Sequence, residues 1–246
     1  MDAHVAWPGI RDRVIAVEEA VRQARGEPPS PILEPVLTAG EIAEVEAQYG
    51  VALPGEYRSF LAEVGAGGPG DWSGLHLTAL CRIAGKWGWA WYKENPVPFW
   101  ILDPRPSLDT QEEWASAQVA TLRAAGHEPG ARDEEDDYAE DYKKAFGPDA
   151  GAEAFQVQSA RGMIYLSDNG CGTTSWLVVT GPRRGEVRDR ECAVNPGYEP
   201  AVDAEGNRHT FHTWYLQRLE QYEATAARQR QCPRPTSPRM QTPTST

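Results

Sequence analysis

Cys171 stands between Gly170 and Gly172, three residues after Asp168, with His209 and His212 further along the chain. A thiol, an imidazole and a carboxylate are the parts of a nucleophilic relay, in which the base draws the proton from sulfur. The competing reading is a tight turn whose glycines tolerate positive φ, with a small thiol buried beside it. The turn is preferred, because a thiol motif carries no geometry outside its own structural context. His209 and His212 are spaced to share a metal, yet no cysteine or carboxylate nearby completes a ligand set. They are read as solvent-exposed residues at a helix start.

A second chemical candidate is the run Asp133–Asp141, seven carboxylates in nine positions: Asp133, Glu134, Glu135, Asp136, Asp137, Glu140 and Asp141. It lacks the glycine that a calcium loop needs at its sixth position. A solvated or disordered block of charge is the expectation. The glycine-rich stretch from Gly65 to Gly70 follows a helix and has no Gly-Lys-Ser/Thr ending, so it cannot aim N–H groups at a phosphate. Asp71 and Trp72, directly after it, are expected at a rim. No catalytic residue, metal or cofactor is assigned.

Nine tryptophans leave aromatic surface as the remaining currency. Most should be core, since the indole supplies a large apolar area. The segment Lys86–Asn95 carries Trp87, Trp89, Trp91 and Tyr92 beside Lys86, Lys93 and Glu94, the mixture that anchors protein interfaces. Charge points the same way. Lys plus Arg is 24 against 36 Asp plus Glu, a net of −12, and the last 19 residues hold four arginines and no acid. The body from Met1 to Ala227 therefore carries −16, which repels nucleic acid and anionic membrane and attracts basic partners. No stretch has the length and apolarity of a membrane span. Met1–Pro8 lacks the features of a secretory leader. With scattered cysteines at 81, 171, 192 and 232, these features predict a reducing cytoplasm.

The elements that must position these residues follow from periodicity. Helices are predicted over Gly9–Arg25, from Thr38, from Pro54, over Gln111–Ala125 and over Thr210–Arg230. Strands are predicted at Leu75–Leu77, around Trp87–Trp91, and at Phe99–Leu102, Phe155–Gln158, Met163–Ser167, Ser175–Val179 and Glu186–Arg190. A turn falls at Asp203–Asn207. Gly26–Pro35 reads as a Pro-rich linker. The tail from Cys232 lacks the apolar content to fold.

Two segments carry a resemblance. In the first, Thr38 and Glu41 make a capping box for a helix with Ile42, Val45 and Tyr49 on one face, stopped by Gly50. Val51, Leu53, Pro54, Tyr57, Phe60 and Leu61 follow. The second runs Leu166-Ser167-Asp168-Asn169-Gly170-Cys171-Gly172, then Trp176–Val179, then Gly181-Pro182-Arg183-Arg184-Gly185-Glu186-Val187. Together they resemble the Smi/Knr-like branch of the SUKH superfamily, named after a yeast cell-wall synthesis regulator, over about Val36 to Glu220.

The resemblance implies one α+β domain, with a mixed or mostly antiparallel sheet of about six strands packed on one side by helices. It places the SUKH-like domain over 36–227 with an insertion at about 107–152; periodicity and composition add an N-terminal helix and linker over 1–35 and a disordered tail over 228–246. It also implies a non-catalytic, cytoplasmic immunity protein that neutralises a cognate toxin. The acidic body adds a basic toxin, such as a nuclease, with Asp71, Trp72, Trp87, Trp89, Trp91, Tyr92 and Asp133–Asp137 as the partner-binding set. Alternatives are a regulatory scaffold recruiting partners through the Pro/Arg tail, and a hydrolase centred on Cys171.

Overall fold

The computed structural model describes residues 5–28, 31–67, 75–90, 111–130, 138–191 and 195–231. Its first three helices are α1 (Ile10–Arg25), α2 (Ala39–Tyr49) and α3 (Gly55–Glu63). α1 buries Ile10, Val14, Val17 and Val21 along one stripe. α2 is set by its ends: Thr38 and Glu41 form the reciprocal capping box, and Gly50 closes the helix at φ 64°. Pro54 takes the N-cap position of α3, one residue earlier than the expected first turn, and Tyr57, Phe60 and Leu61 face inward.

A two-stranded antiparallel hairpin follows, β1 (Ala79–Ile83) and β2 (Lys86–Ala90), paired through Leu80 opposite Trp89. The hairpin's first strand thus starts two residues after the predicted Leu75–Leu77, in which Leu77 alone makes a β-bridge. Three helices come next, α4 (Gln111–Ala124), α5 (Ala139–Phe146) and α6 (Pro148–Ala160). They share a small core of Trp114, Leu122, Tyr142 and Phe155. The strand expected at Phe155–Gln158 lies within α6. Pro148 opens that helix, and the alanines that follow favour helical continuation over extension. The predicted strand at Phe99–Leu102 lies outside the described residues.

β3 (Met163–Gly170), β4 (Thr173–Val178), β5 (Val187–Glu191) and β6 (Asn195–Pro200) form an antiparallel meander in that order. The fold is α+β, and its six described strands divide between two antiparallel sheets rather than one. The Thr78 N–H, which donates to the Leu166 carbonyl at 2.8 Å, ties the hairpin to the larger sheet. Alternation sorts the sheet's faces. Ile164, Leu166, Leu177 and Val187 join the main core beneath α1, α3 and the last helix, α7 (Phe211–Gln231). Met163, Val178 and Tyr198 point the other way, into a cluster that includes Ala160 at the end of α6. Helical cover therefore reaches both faces.

The main core is aromatic at its centre. Phe60 and Tyr215 rings lie 4.7 Å apart, Tyr57 and Phe211 5.0 Å, and Trp7 and Phe60 5.2 Å, all edge-to-face. The Trp7 indole N–H donates to Ser59 Oγ at 3.0 Å, so its polar atom is satisfied inside. Among the described residues, no helix is long and apolar enough to cross a membrane.

Candidate functional site

The two sequence segments that carry the resemblance meet in space. Arg184 Nη2 donates to the carbonyls of Ala52 at 3.0 Å and Leu53 at 2.7 Å, which pins the Gly-flanked 181–185 turn to the start of α3. The Gly185 carbonyl accepts from the Phe211 N–H at 3.1 Å, and Glu56 Oε2 accepts from the His212 N–H at 2.9 Å. The Glu56 carboxylate thus sits at the N-terminus of α7, where orphan N–H groups and the helix dipole favour an anion. Between these contacts lies a cleft of about 310 Å³ walled by Pro54, Gly55, Glu56, Arg184, Gly185, Glu186 and Thr210.

Glu186, one wall residue of that cleft, gathers three arginines. Arg208 approaches it at 3.3 Å, Arg183 at 3.5 Å and the fully buried Arg188 at 3.8 Å. Arg188 also donates to the Tyr198 carbonyl at 3.1 Å. Burial lowers the Arg184 pKa from its high ordinary value, and a guanidinium remains a cation at neutral pH. Among the described residues, the walls offer charge and hydrogen bonds and include no thiol or imidazole.

A second polar cluster lies where the apolar face of the sheet runs out beneath α7. Ser167 Oγ and Arg218 Nη1 both donate to Asn169 Oδ1, at 2.7 and 2.6 Å. Asn169 Nδ2 donates to Ser175 Oγ at 2.9 Å, which donates to Asp189 Oδ1 at 2.5 Å. Burial raises the Asp189 carboxyl above the ordinary range, against the opposing pull of Ser175 and Arg218. Burial also lowers Arg218. These groups join three strands to one helix, which is a positioning role.

Most of the predicted partner-binding residues, Asp71, Trp72, Trp91, Tyr92 and Asp133–Asp137, lie outside the described residues. Trp89 is fully buried; its indole N–H donates to Tyr57 Oη at 2.8 Å, so it serves the core. Trp87 is 6 % exposed, covered by Arg82 at 4.5 Å from its ring and donating to Glu44 Oε2 at 3.1 Å. Neither indole offers a free face to another molecule, because period-2 alternation says which face a residue shares and not whether that face is covered. Asp141 corrects the expected charge block: it is buried in α5, 3.1 Å from His127 Nε2.

The relay residues behave as a turn with one difference. Cys171 is exposed, not buried, and itself adopts φ 52° between Gly170 at 83° and Gly172 at 80°. Asp168 Oδ1 accepts from the Gly170 N–H at 2.7 Å, so this carboxylate shapes the turn. His209 is 6 % exposed rather than solvent-facing, its Nδ1 3.0 Å from Thr213 Oγ1, while His212 packs its ring 4.7 Å from Trp7. Among the described residues, no group of three His, Cys, Asp or Glu side chains is placed to hold a metal ion. The cleft residues Glu56, Arg184 and Glu186 went unremarked as chemistry in the sequence. The signal available was the adjacent arginines inside a Gly-bounded turn.

The contacts define an α+β scaffold in which the link from the capped α2 to α3 and a Gly-bounded turn hold each other through backbone carbonyls. The chain belongs to the SMI1/KNR4 family (SUKH-1), whose family model matches residues 37–192, more than half of its length. No curated protein and no solved structure matches it significantly.

Proposed function

We propose that this chain is a non-catalytic, cytoplasmic immunity protein that binds and neutralises a basic toxin. Membership of the SMI1/KNR4 family carries the reading, since bacterial members of this superfamily are mostly immunity proteins. Charge supports it. Residues 107–152, proposed as an insertion within the 36–227 domain, hold twelve acids against four bases. That net of −8 is half of the excess in the whole body. A field of this sign accelerates encounter with a cationic surface such as a nuclease cleft. The binding set extends over Asp71, Trp72, Trp91, Tyr92 and Asp133–Asp137; α7 continues to Gln231, four residues into the expected 228–246 tail, and the part from Cys232 is dispensable to binding.

The test is co-expression and co-purification with the product of the adjacent gene. The expected result is a stable complex in which the toxin loses activity, retained when the chain is cut after Gln231, at the end of α7. Full toxin activity in a saturating excess of this chain would refute the proposal for that pair. So would turnover of a small substrate by the purified chain, abolished by Cys171→Ser.

A further inference from the structure

Where α1 packs against α7, two polar side chains are drawn into an apolar interior. Glu18 of α1 is 6 % exposed and Tyr215 of α7 is 1 % exposed. The Tyr222 hydroxyl, two turns further along α7, donates to Glu18 Oε2 at 3.3 Å, so the carboxylate is turned toward that helix. Tyr215 is different. Among the described residues, its hydroxyl has no hydrogen-bond partner. Burial, and after it the Glu18 charge, raise the Tyr215 ionisation, so the hydroxyl keeps its proton and needs an acceptor. A buried O–H without one forfeits the hydrogen bond that water gives it in the unfolded chain.

Glu18 and Tyr215 wall one small cavity, whose other lining is apolar and includes Val14, Leu33, Leu75 and Leu77. The space that the centre of a water molecule can reach there is about 10 Å³. That holds a single water and no organic group. From this geometry we infer that the cavity is a hydration site, in which one ordered water accepts from Tyr215 Oη and donates to the Glu18 carboxylate. A carboxylate offers about four lone-pair positions, so the bond from Tyr222 leaves room for that donor. An anion would face the Glu18 charge. A metal ion would meet one carboxylate where it needs several oxygens. Water alone accepts from one wall while donating to the other.

The bridge ties α1 to α7, and both helices lie outside the residues 37–192 that the family model matches. It acts inside the joint whose surface carries the Arg13–Glu223 ion pair at 2.7 Å. The inference is independent of the protein-binding reading above.

Two measurements on the full chain test it. A high-resolution crystal structure is expected to show one solvent peak within hydrogen-bond distance of both Tyr215 Oη and a Glu18 carboxylate oxygen. Oxygen-17 relaxation dispersion, which counts long-lived internal waters, is expected to lose one water in Tyr215→Phe. If that substitution perturbs folding, the wild-type density decides alone. A direct Tyr215–Glu18 hydrogen bond with no peak between them, or an unchanged water count in Tyr215→Phe, would overturn the inference. So would a peak with the coordination of a metal ion. Whether a toxin is neutralised is decided separately, by the complex with the adjacent gene product.

Discussion

Tyr57 shows how much one side chain holds in this molecule. Its ring packs on Phe211 and its hydroxyl accepts the Trp89 indole proton, both fully inside, and burial pushes its own ionisation far above the ordinary phenol range. Tyr57→Phe keeps the packing and removes the acceptor, so a loss of about 1–3 kcal/mol is expected in urea unfolding. Asp189 makes a prediction of another kind. Burial raises its folded-state pKa above the unfolded value of about 3.9. Stability that it contributes is therefore complete below the unfolded pKa and is lost as pH rises through the folded one. Asp189→Asn keeps an oxygen to accept from Ser175 and removes that slope. The expected result is an unfolding midpoint that falls less than wild type's between about pH 4 and neutrality. A variant that tracks wild type across that window would show that the carboxylate does not titrate in it. Neither role was legible in sequence. Ser167, Ser175 and Asp189 sit at ordinary strand positions, and only the antiparallel register sets them side by side under Arg218.

Helices were read well where local rules fix their ends and poorly where they do not. The capping box at Thr38 and the stop at Gly50 are short-range contacts, so the α2 boundaries followed from the residues themselves. Thr38→Ala is expected to cost roughly 0.5–2 kcal/mol, measured by thermal or urea unfolding. α6 was mistaken in part for a strand because a short apolar stretch has no period of its own. α5 was missed because carboxylates masked the burial of Asp141 and Tyr142. The link between elements is more sensitive than the elements. Gly67 holds φ 93°, its carbonyl accepts from the Glu34 N–H at 2.7 Å, and a Cβ there would press on the Thr78 carbonyl and lie 2.9 Å from Ala79 Cα. Gly67→Ala incurs the left-handed penalty of about 1–2 kcal/mol plus that clash. Its expected signature is a lowered midpoint with the denaturant slope unchanged.

For the whole molecule, the proposed function predicts a kinetic asymmetry. Replacing Asp133–Asp137 by their amides should slow association with the toxin about tenfold or more at low salt and flatten its salt dependence, while dissociation changes little. Stopped-flow measurements at several ionic strengths decide this, and an unchanged association rate would remove the electrostatic part of the proposal. The amino-acid sequence alone determined the family, the α+β class, the acidic field and the ends of α2, because each depends on composition or on neighbours within a few residues. The tertiary structure decided that six strands form two sheets, that Trp89 belongs to the interior, and that Arg184 clasps the start of α3 across more than 130 positions. Those outcomes depend on which distant surfaces exclude water from one another, and no local pattern encodes the choice.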